Sequence, residues 1–543
     1  MPQQNAKEST DAQLTQTRRG HLRGIAGVGA ALFGLGGASA AAGATEATTD
    51  YESICYTPTT VLAEQIREGT LSPVEVVEAF LSRIAEQDSV VNAFIEVFPE
   101  RARAEAAEAE RAVERGDTLG PLHGVPFGVK DLDGLEGERY TEGSLVYVDR
   151  IAEETDEDVQ SFIDAGAIPI GTTNTPEFGH MGKTDNLFAG PTSSPFVIGR
   201  NSGGSSGGST AGVGAGLIPF GTGGDGAGSL RIPASFSGVY GLFLGAEDPE
   251  DLDPESTHGR SGVQTRTVAD TAYTLDVMIE PDGDAPDFQS ALDQGVDGLS
   301  IGYSPDLGIW PVDERVRTVV GKNVGAITDA GASLEDVDVD LGQSYEEFMT
   351  GLQITWNVGY YRTIQELEEE GYDPLGDDRE LFSDSLLTLA EDGLSYLEDD
   401  ELPDEARETA FTARERAFEG MQAVFDDYDL LVTPTLSVPP FPNDELGPTE
   451  VEGVETDPVL GWLITATFNM TGHPAASLPA GMTDEGYPVG MQLVGPPRDN
   501  ATILAASAAY EEVNPWADTY PAPSSADTYD RVEMRDETVA PAD

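Results

Sequence analysis

The stretch GGSSGGSTAGVGAGLIPFGTGGDGAGS, residues 203–229, contains twelve glycines and continues directly into LRIPASFSGVYGLF, a segment typical of a buried core. Glycine loses more backbone freedom on folding than any other residue, so a folded chain concentrates it where the backbone turns sharply or closely approaches another group. The stretch is neither a repeat nor a linker, because its apolar residues and its continuation indicate buried structure. We therefore expect tight backbone turns here, at the centre of the fold.

The composition is that of a folded protein with a strongly acidic surface. The chain has 543 residues, of which 39% are hydrophobic, and its formal net charge is −69. Such a surface repels nucleic acid and anionic membranes. Salt at about 1 M shortens the Debye length to about 3 Å and so suppresses the self-repulsion. We therefore predict a halophilic protein with no nucleic-acid partner.

The N-terminal segment resembles a twin-arginine export signal. TRRGHLRG, residues 17–24, precedes a weakly apolar run rich in Gly and Ala, with Arg18 and Arg19 as the pair and 38–40 as a cleavage site. Residues 1–50 are thus predicted to be a signal and linker, and the protein to be extracellular or at the cell surface; it is cytoplasmic if the signal does not function. No other stretch is long and apolar enough to span a bilayer.

The remaining chain alternates helical and strand patterns. SPVE, residues 72–75, is a capping box that opens one helix, a second helix follows in 99–116, and Asp499 is the expected cap of a late one. Between 121 and 245 short apolar runs alternate with glycine-rich turns and helices, which predicts an α/β fold with a large, mixed, mostly parallel β-sheet covered by helices.

The domain boundaries follow from the same patterns. We predict one domain over 51–515, in which 343–428 is helical and is a candidate cover for a substrate pocket, and a solvated acidic tail over 516–543. The aromatic residues Trp356, Tyr360, Tyr361 and Trp462 are assigned to core packing in preference to a pocket lining.

One catalytic pattern is weaker than it looks. Residues 203–207, GGSSG, match the nucleophile elbow of α/β-hydrolases, which would make Ser205 a nucleophile. That mechanism needs a downstream histidine, and His258 and His473 do not clearly follow the expected order. Clusters with metal-ligand spacing are missing from the sequence, so no metal or other cofactor is expected.

Lys130 is the more informative residue. The sequence contains only four lysines, and this one lies among apolar residues in LHGVPFGVKDL. An ordinary lysine has a pKa of about 10.4, so only about one in 2,000 molecules is neutral at pH 7. Burial lowers that pKa and makes the amine a usable base. A structural lysine that pairs with Asp131 is the alternative.

Three segments together resemble the amidase signature family. GVPFGVKD resembles its lysine segment, NSGGSSGGS its glycine- and serine-rich segment, and GGDGAGSLRIPASFSGVYGL its nucleophile segment. The 24-residue separation of Ser205 and Ser229 is the family's spacing. The resemblance covers about residues 55 to 515.

The resemblance implies specific roles. Ser229 is the nucleophile and Lys130 is the general base. Ser205, which follows a cis peptide bond, is the bridging serine through which Lys130 acts on Ser229. The backbone N–H groups of Gly226, Ala227 and Gly228 form the oxyanion hole. The implied reaction is hydrolysis of a small-molecule amide through an acyl-enzyme, without a cofactor.

The sequence leaves the substrate and some details open. The motifs look most like members that act on linear or cyclic amides, including 6-aminohexanoate cyclic dimer hydrolase. The alternatives are an amidotransferase A-type subunit that releases ammonia from glutamine, and a non-catalytic cell-surface binding protein on the same fold. A homodimer is left open. Ala227 stands where the family usually has Gly, and GLFLGAEDPEDLD replaces the usual continuation after the nucleophile segment.

Overall fold

A computed structural model describes residues 51–246, 256–279 and 287–521. The predicted export signal and all but the first residues of the predicted acidic tail lie outside this part of the chain. The helices are α1 Tyr51–Cys55, α2 Thr59–Arg67, α3 Pro73–Val91, α4 Pro99–Arg115, α5 Glu157–Asp164, α6 Gly207–Gly214, α7 Arg231–Ser237, α8 Val268–Met278, α9 Phe288–Ala291, α10 Glu314–Asn323, α11 Ala326–Asp329, α12 Tyr345–Glu370, α13 Asp384–Ser395, α14 Asp404–Phe425, α15 Ala466–Thr471 and α16 Asn500–Val513. The strands are β1 Phe94–Val97, β2 Pro126–Lys130, β3 Ile168–Thr173, β4 Ser193–Ser194, β5 Val197–Asn201, β6 Phe220–Asp225, β7 Tyr240–Phe243, β8 Arg260–Thr265, β9 Ser300–Tyr303, β10 Ser333–Asp336, β11 Leu430–Pro434, β12 Glu450–Val451, β13 Val454–Glu455, β14 Ala475–Met482 and β15 Pro488–Val494.

Eleven of these strands form one mixed sheet, in the order β1-β3-β2-β6-β8-β7-β14-β15-β11-β9-β10. The parallel pairs are β2 with β3 and β6, and β9 with β10 and β11. The other neighbours are antiparallel and are the more numerous. The predicted α/β class with a large mixed sheet covered by helices is confirmed, but the parallel pairing predicted for most of the sheet is found only in these two groups of strands.

Aromatic packing fixes the strand that carries the predicted base. Phe127 of β2 stacks on Phe220 of β6 with ring centroids 5.3 Å apart, and Phe162 of α5 contacts both rings. All three side chains are fully buried. Because alternate residues of a strand face opposite sides, this anchor at Phe127 directs Lys130 to the other face of β2.

The helical predictions are confirmed in detail. The capping box at Ser72 and Glu75 opens α3, the predicted second helix is α4, and the Asp499 side chain accepts the N–H of Thr502 at the start of α16. Residues 343–428 contain α12, α13 and α14. No helix within the described ranges is long and apolar enough to cross a membrane.

The predicted end of the domain at residue 515 is too early. Trp516 is buried and donates to the carbonyl of Arg266 at 2.8 Å. Tyr56 stacks on Tyr520 and donates to the carbonyl of Pro521. Two aromatic side chains thus hold the chain on the domain as far as 521, although the sequence there is acidic.

Candidate active site

Lys130 ends β2 and points into the interior. Its side chain is buried, with 2% of the residue exposed, and its Nζ lies 2.8 Å from Ser205 Oγ and 3.0 Å from Ser206 Oγ. No carboxylate in the described part of the chain forms an ion pair with it. Burial therefore lowers the pKa of Lys130 to about 8, although the negative charges of Asp133 and Asp225 act to raise it. An amine with this pKa alternates between its charged and neutral forms near neutral pH.

The alternative of a structural pair with Asp131 does not hold. The Asp131 carboxylate accepts the N–H groups of Thr141 and Gly143 and the hydroxyl of Thr141. Burial raises the pKa of Asp131 to about 6 in spite of these bonds. Its bonds thus all go to the loop that follows it, and none goes to the amine.

Ser205 and Ser206 lie in a backbone turn that only glycine permits. The peptide bond between Gly204 and Ser205 is cis, which confirms what the resemblance implied. Gly203 has φ +81°, and a Cβ on it would lie 2.5 Å from Cα of Pro233. A Cβ on Gly204 would lie 2.7 Å from the carbonyl carbon of Lys183. The glycines therefore allow the backbone of this turn to lie close to the backbone of Lys183 and Pro233, as their concentration in the sequence suggested.

Ser229 lies in a second turn, between β6 and α7. Asp225, the last residue of β6, is fully buried and pairs with the Arg231 guanidinium through two contacts of 2.9 and 3.0 Å. Asn469 donates to the same carboxylate at 2.9 Å. Burial opposes ionisation, but Arg231 and Asn469 hold the pKa of Asp225 below its ordinary value. The ion pair thereby braces both ends of the turn that presents Ser229.

The predicted oxyanion donors divide into two groups. The N–H of Gly228 donates to Asp225 Oδ1 at 2.7 Å, so in this structure it is directed at the carboxylate. Gly228 has φ +122°, and a Cβ there would collide with Thr465 Oγ1, so the position requires glycine. Gly226 and Ala227 remain as candidate donors, and Gly226 lines the cavity described next.

Four of the six predicted site residues line one cavity of about 370 Å³, and Ala227 and Gly228 do not. Lys130, Ser205, Ser229 and Gly226 lie on its wall together with glycine and serine residues of the neighbouring strands. Ser229 is 7% exposed and Ser205 is 3% exposed, so both hydroxyls are largely screened from bulk water. The cavity therefore has room for a small molecule beside a hydroxyl group and a buried amine.

An aromatic wall, formed by Phe178, Trp356 and Tyr360, closes another side of the cavity. Trp356 and Tyr360 pack against the core but also line this cavity, so their assignment to core packing in preference to a pocket lining was wrong in part. Tyr361 and Trp462 do lie in the core: Tyr361 is 7% exposed, and Trp462 stacks on Phe236 at 5.7 Å.

Helix α12 also fixes the loop that carries Phe178. Trp356 Nε1 donates to the carbonyl of His180 at 3.2 Å, and the Tyr360 hydroxyl donates to the carbonyl of Phe178 at 3.3 Å. Glu177 accepts the N–H of Ser383 at 2.9 Å. These bonds attach the helical segment to the cavity wall, as expected of a pocket cover.

The nucleophile-elbow alternative finds no histidine in the cavity. His473 is buried against Phe425, its Nδ1 lies 2.8 Å from Thr471 Oγ1, and burial lowers its pKa to about 3. His258 is not part of the cavity wall either. The described residues contain no cluster of His, Cys, Asp and Glu arranged to hold a metal ion.

Sequence reasoning missed several residues of the site. Ser206 follows Ser205 and shares its contact with Lys130, and the buried pair of Asp225 and Arg231 supports the Ser229 turn. The sequence signal for that pair was an Asp and an Arg on either side of the serine, within a segment typical of a buried core. Asn469 lies 238 residues from its partner Arg231, and no local signal identifies it.

Comparison with known proteins agrees with this geometry. The Amidase family model matches residues 75–504, and the chain therefore belongs to the amidase family. It is 35% identical to an acylamidase of Rhodococcus erythropolis over 489 residues, which cover 87% of this chain and 98% of that protein. A bacterial aryl acylamidase structure of the amidase signature family superimposes with a TM-score of 0.79 at 32% identity and covers 87% of this chain and 99% of that one. The structure of 6-aminohexanoate cyclic dimer hydrolase complexed with substrate gives a TM-score of 0.73 at 27% identity, with 86% and 99% covered.

Proposed function

We propose that this amidase cleaves carboxylic amides through an acyl-enzyme on Ser229, with Ser205 and Lys130 as the proton relay. One observation carries the proposal: the buried Lys130 amine lies 2.8 Å from Ser205 Oγ, on the wall of the cavity that also contains Ser229. A hydroxyl is a weak nucleophile unless a neighbouring base removes its proton. Lys130 is suited to be that base because burial brings its pKa to about 8.

The steps follow from these roles. Ser229 Oγ attacks the carbonyl carbon while its proton passes to Ser205, whose own proton passes to the Lys130 amine. The carbonyl oxygen becomes an oxyanion, for which the N–H groups of Gly226 and Ala227 are the proposed donors. The C–N bond then breaks, and the leaving amine takes the proton back through Ser205. Water attacks the resulting ester by the same route and releases the carboxylic acid.

The aromatic wall supports an aryl or otherwise apolar amide as substrate. Phe178, Trp356 and Tyr360 offer flat apolar surface beside the serines, and such surface binds aromatic groups favourably. The acylamidase and aryl acylamidase relatives support the same substrate class. Amidotransferase A subunits are also relatives of this chain, but the one from Moorella thermoacetica is 29% identical, against 35% for the acylamidase, so the amidotransferase alternative is less favoured.

Trp356→Ala should lower kcat/KM for an acyl anilide about tenfold and for a small aliphatic amide less than about threefold, because only the aryl group loses stacking surface. The measurement is hydrolysis of both amides by the purified full-length protein. Tyr361→Phe is the matched control, since the neighbouring Tyr361 does not line the cavity. Equal losses on the two amides would count against the proposed substrate class. If the wild type hydrolysed neither amide, that result would count against the proposed activity.

We also propose that the protein is exported by the twin-arginine route and works in high salt. The arginine pair at 18 and 19, the net charge of −69 and the scarcity of lysine support this proposal. Cys55, the single cysteine, is a buried free thiol, so the fold does not depend on a disulfide. The sequence left a homodimer open, and a mass measurement in solution would test it.

The melting temperature should rise between about 0.1 and 3 M KCl. Salt shortens the distance over which the 98 acidic side chains repel one another. Thermal unfolding of the full-length protein across this series is the measurement. A flat melting temperature would contradict the halophilic proposal and would leave the amidase proposal intact.

A further inference from the structure

The turn that follows Lys130 contains a second acidic residue, Asp133. Its N–H donates to the carbonyl of Lys130 at 2.8 Å, and its Oδ2 accepts the hydroxyl of Thr222 at 2.5 Å. The same hydroxyl oxygen accepts the backbone N–H of Lys130 at 2.8 Å. One threonine of β6 therefore links the carboxylate of Asp133 to the backbone of the residue that carries the amine.

Asp133 also lies where its charge acts on that amine. Asp133 and Asp225 are the two carboxylates whose charges raise the pKa of Lys130 against the effect of burial. The charge of Asp225 is already balanced by Arg231 at 2.9 Å. No cationic side chain in the described ranges forms an ion pair with Asp133. Its charge is therefore the less compensated of the two.

The surroundings of Asp133 leave it ionised at the pH at which Lys130 titrates. Burial raises the pKa of Asp133 to about 6, the Thr222 hydroxyl and Lys130 oppose the rise, and Asp156 and Asp158 on the adjoining segment add to it. This value lies below the pKa of about 8 of Lys130. A negative charge thus stands near the amine during its whole protonation cycle.

We propose that Asp133 is a positioning residue for the general base: it holds the Lys130 backbone through Thr222, and its charge stabilises the ammonium that forms when the serines are deprotonated. This inference rests on the proposed role of Lys130 as the base. A fixed charge aimed at a position where the opposite charge develops lowers the barrier, because no reorganisation is needed during the reaction. Removing the charge should make the amine a weaker base that is neutral at lower pH.

Asp133→Asn tests the proposal, because it keeps an acceptor for Thr222 and removes the charge. The pH profile of kcat/KM for an acyl anilide should move about one pH unit toward lower pH, and its plateau should fall by up to about tenfold. Asp156→Asn is the matched control. Asp156 accepts the N–H of Gly134 at 2.8 Å and is not one of the charges that act on Lys130, so its profile should stay in place.

Two outcomes in a folded Asp133→Asn enzyme would overturn the inference. One is a profile that superimposes on that of the wild type, which would assign no electrostatic role to Asp133. The other is loss of activity at every pH, which would exceed the effect of a residue that only positions the base and supports its charge. Asp133→Ser, which also removes the charge, replaces Asp133→Asn if the latter does not fold. Full activity of Lys130→Arg would instead refute the proposed base itself, so the two failures are distinguishable.

Discussion

Ser229→Ala is expected to abolish amide hydrolysis, with a loss of at least about 10⁴-fold in kcat. The substitution removes the oxygen that forms the acyl-enzyme, and the serines at 205 and 206 lie in a different turn and already contact the Lys130 amine. The fold should be preserved, because the turn is held by Asp225 and Arg231 and not by the Ser229 hydroxyl. Turnover of an acyl anilide and the melting temperature are the two measurements.

Ser205→Ala is the matched control, since it removes a hydroxyl of the same cavity. It should leave a small residual activity, because the nucleophile and the oxyanion donors remain while the relay to Lys130 is interrupted. A fluorophosphonate probe should label Ser229 in the wild type and in Ser206→Ala. Near wild-type turnover of Ser229→Ala together with an inactive Ser205→Ala would replace the proposed mechanism with that of a nucleophile elbow at Ser205.

The three residues of the proposed relay were found because their segments resemble those of the amidase signature family. Lys130 alone also stood out on physical grounds, as a lysine in an apolar segment of a sequence with only four lysines. The structure brings Lys130 next to Ser205 and confirms the tight backbone turns expected from the glycines. The stretch 203–229 forms two backbone turns, joined by α6 and β6, that approach each other and the base.

The sequence did not reveal the pocket wall or the bonds that support the relay. Trp356 and Tyr360 lie on a helix with buried residues on more than one face, so periodicity did not separate core from cavity. Gly228 was predicted to donate to the substrate, but the acceptor Asp225 lies only three residues away and takes its N–H. Contacts such as that of Asp133 with Thr222 join residues 89 positions apart, and no local pattern encodes them.

Lys130→Arg should lower kcat/KM at pH 7 by about 10² to 10⁴-fold. Arginine retains the positive charge but does not lose its proton in a protein, so it cannot accept the proton of Ser229 through Ser205. A lysine with a merely structural role would tolerate this change much better. Lys130→Met serves as a second variant, because an apolar side chain of similar length suits a site that is 2% exposed, and it should be about as inactive as the arginine variant.

The pH profile distinguishes loss of a base from loss of packing. In the wild type the neutral fraction of Lys130 grows as the pH rises through about 8, so kcat/KM for a substrate with rate-limiting chemistry should rise along one ionisation and level off above it. Lys130→Met should lack that inflection, and its remaining activity should rise in proportion to hydroxide, which replaces the missing base. If Lys130→Met showed the wild-type inflection at reduced rate, the titrating group would be another residue, and Lys130 would only hold the serines in place. If a folded Lys130→Arg enzyme kept more than about a tenth of normal turnover, Lys130 could not be the base of the relay.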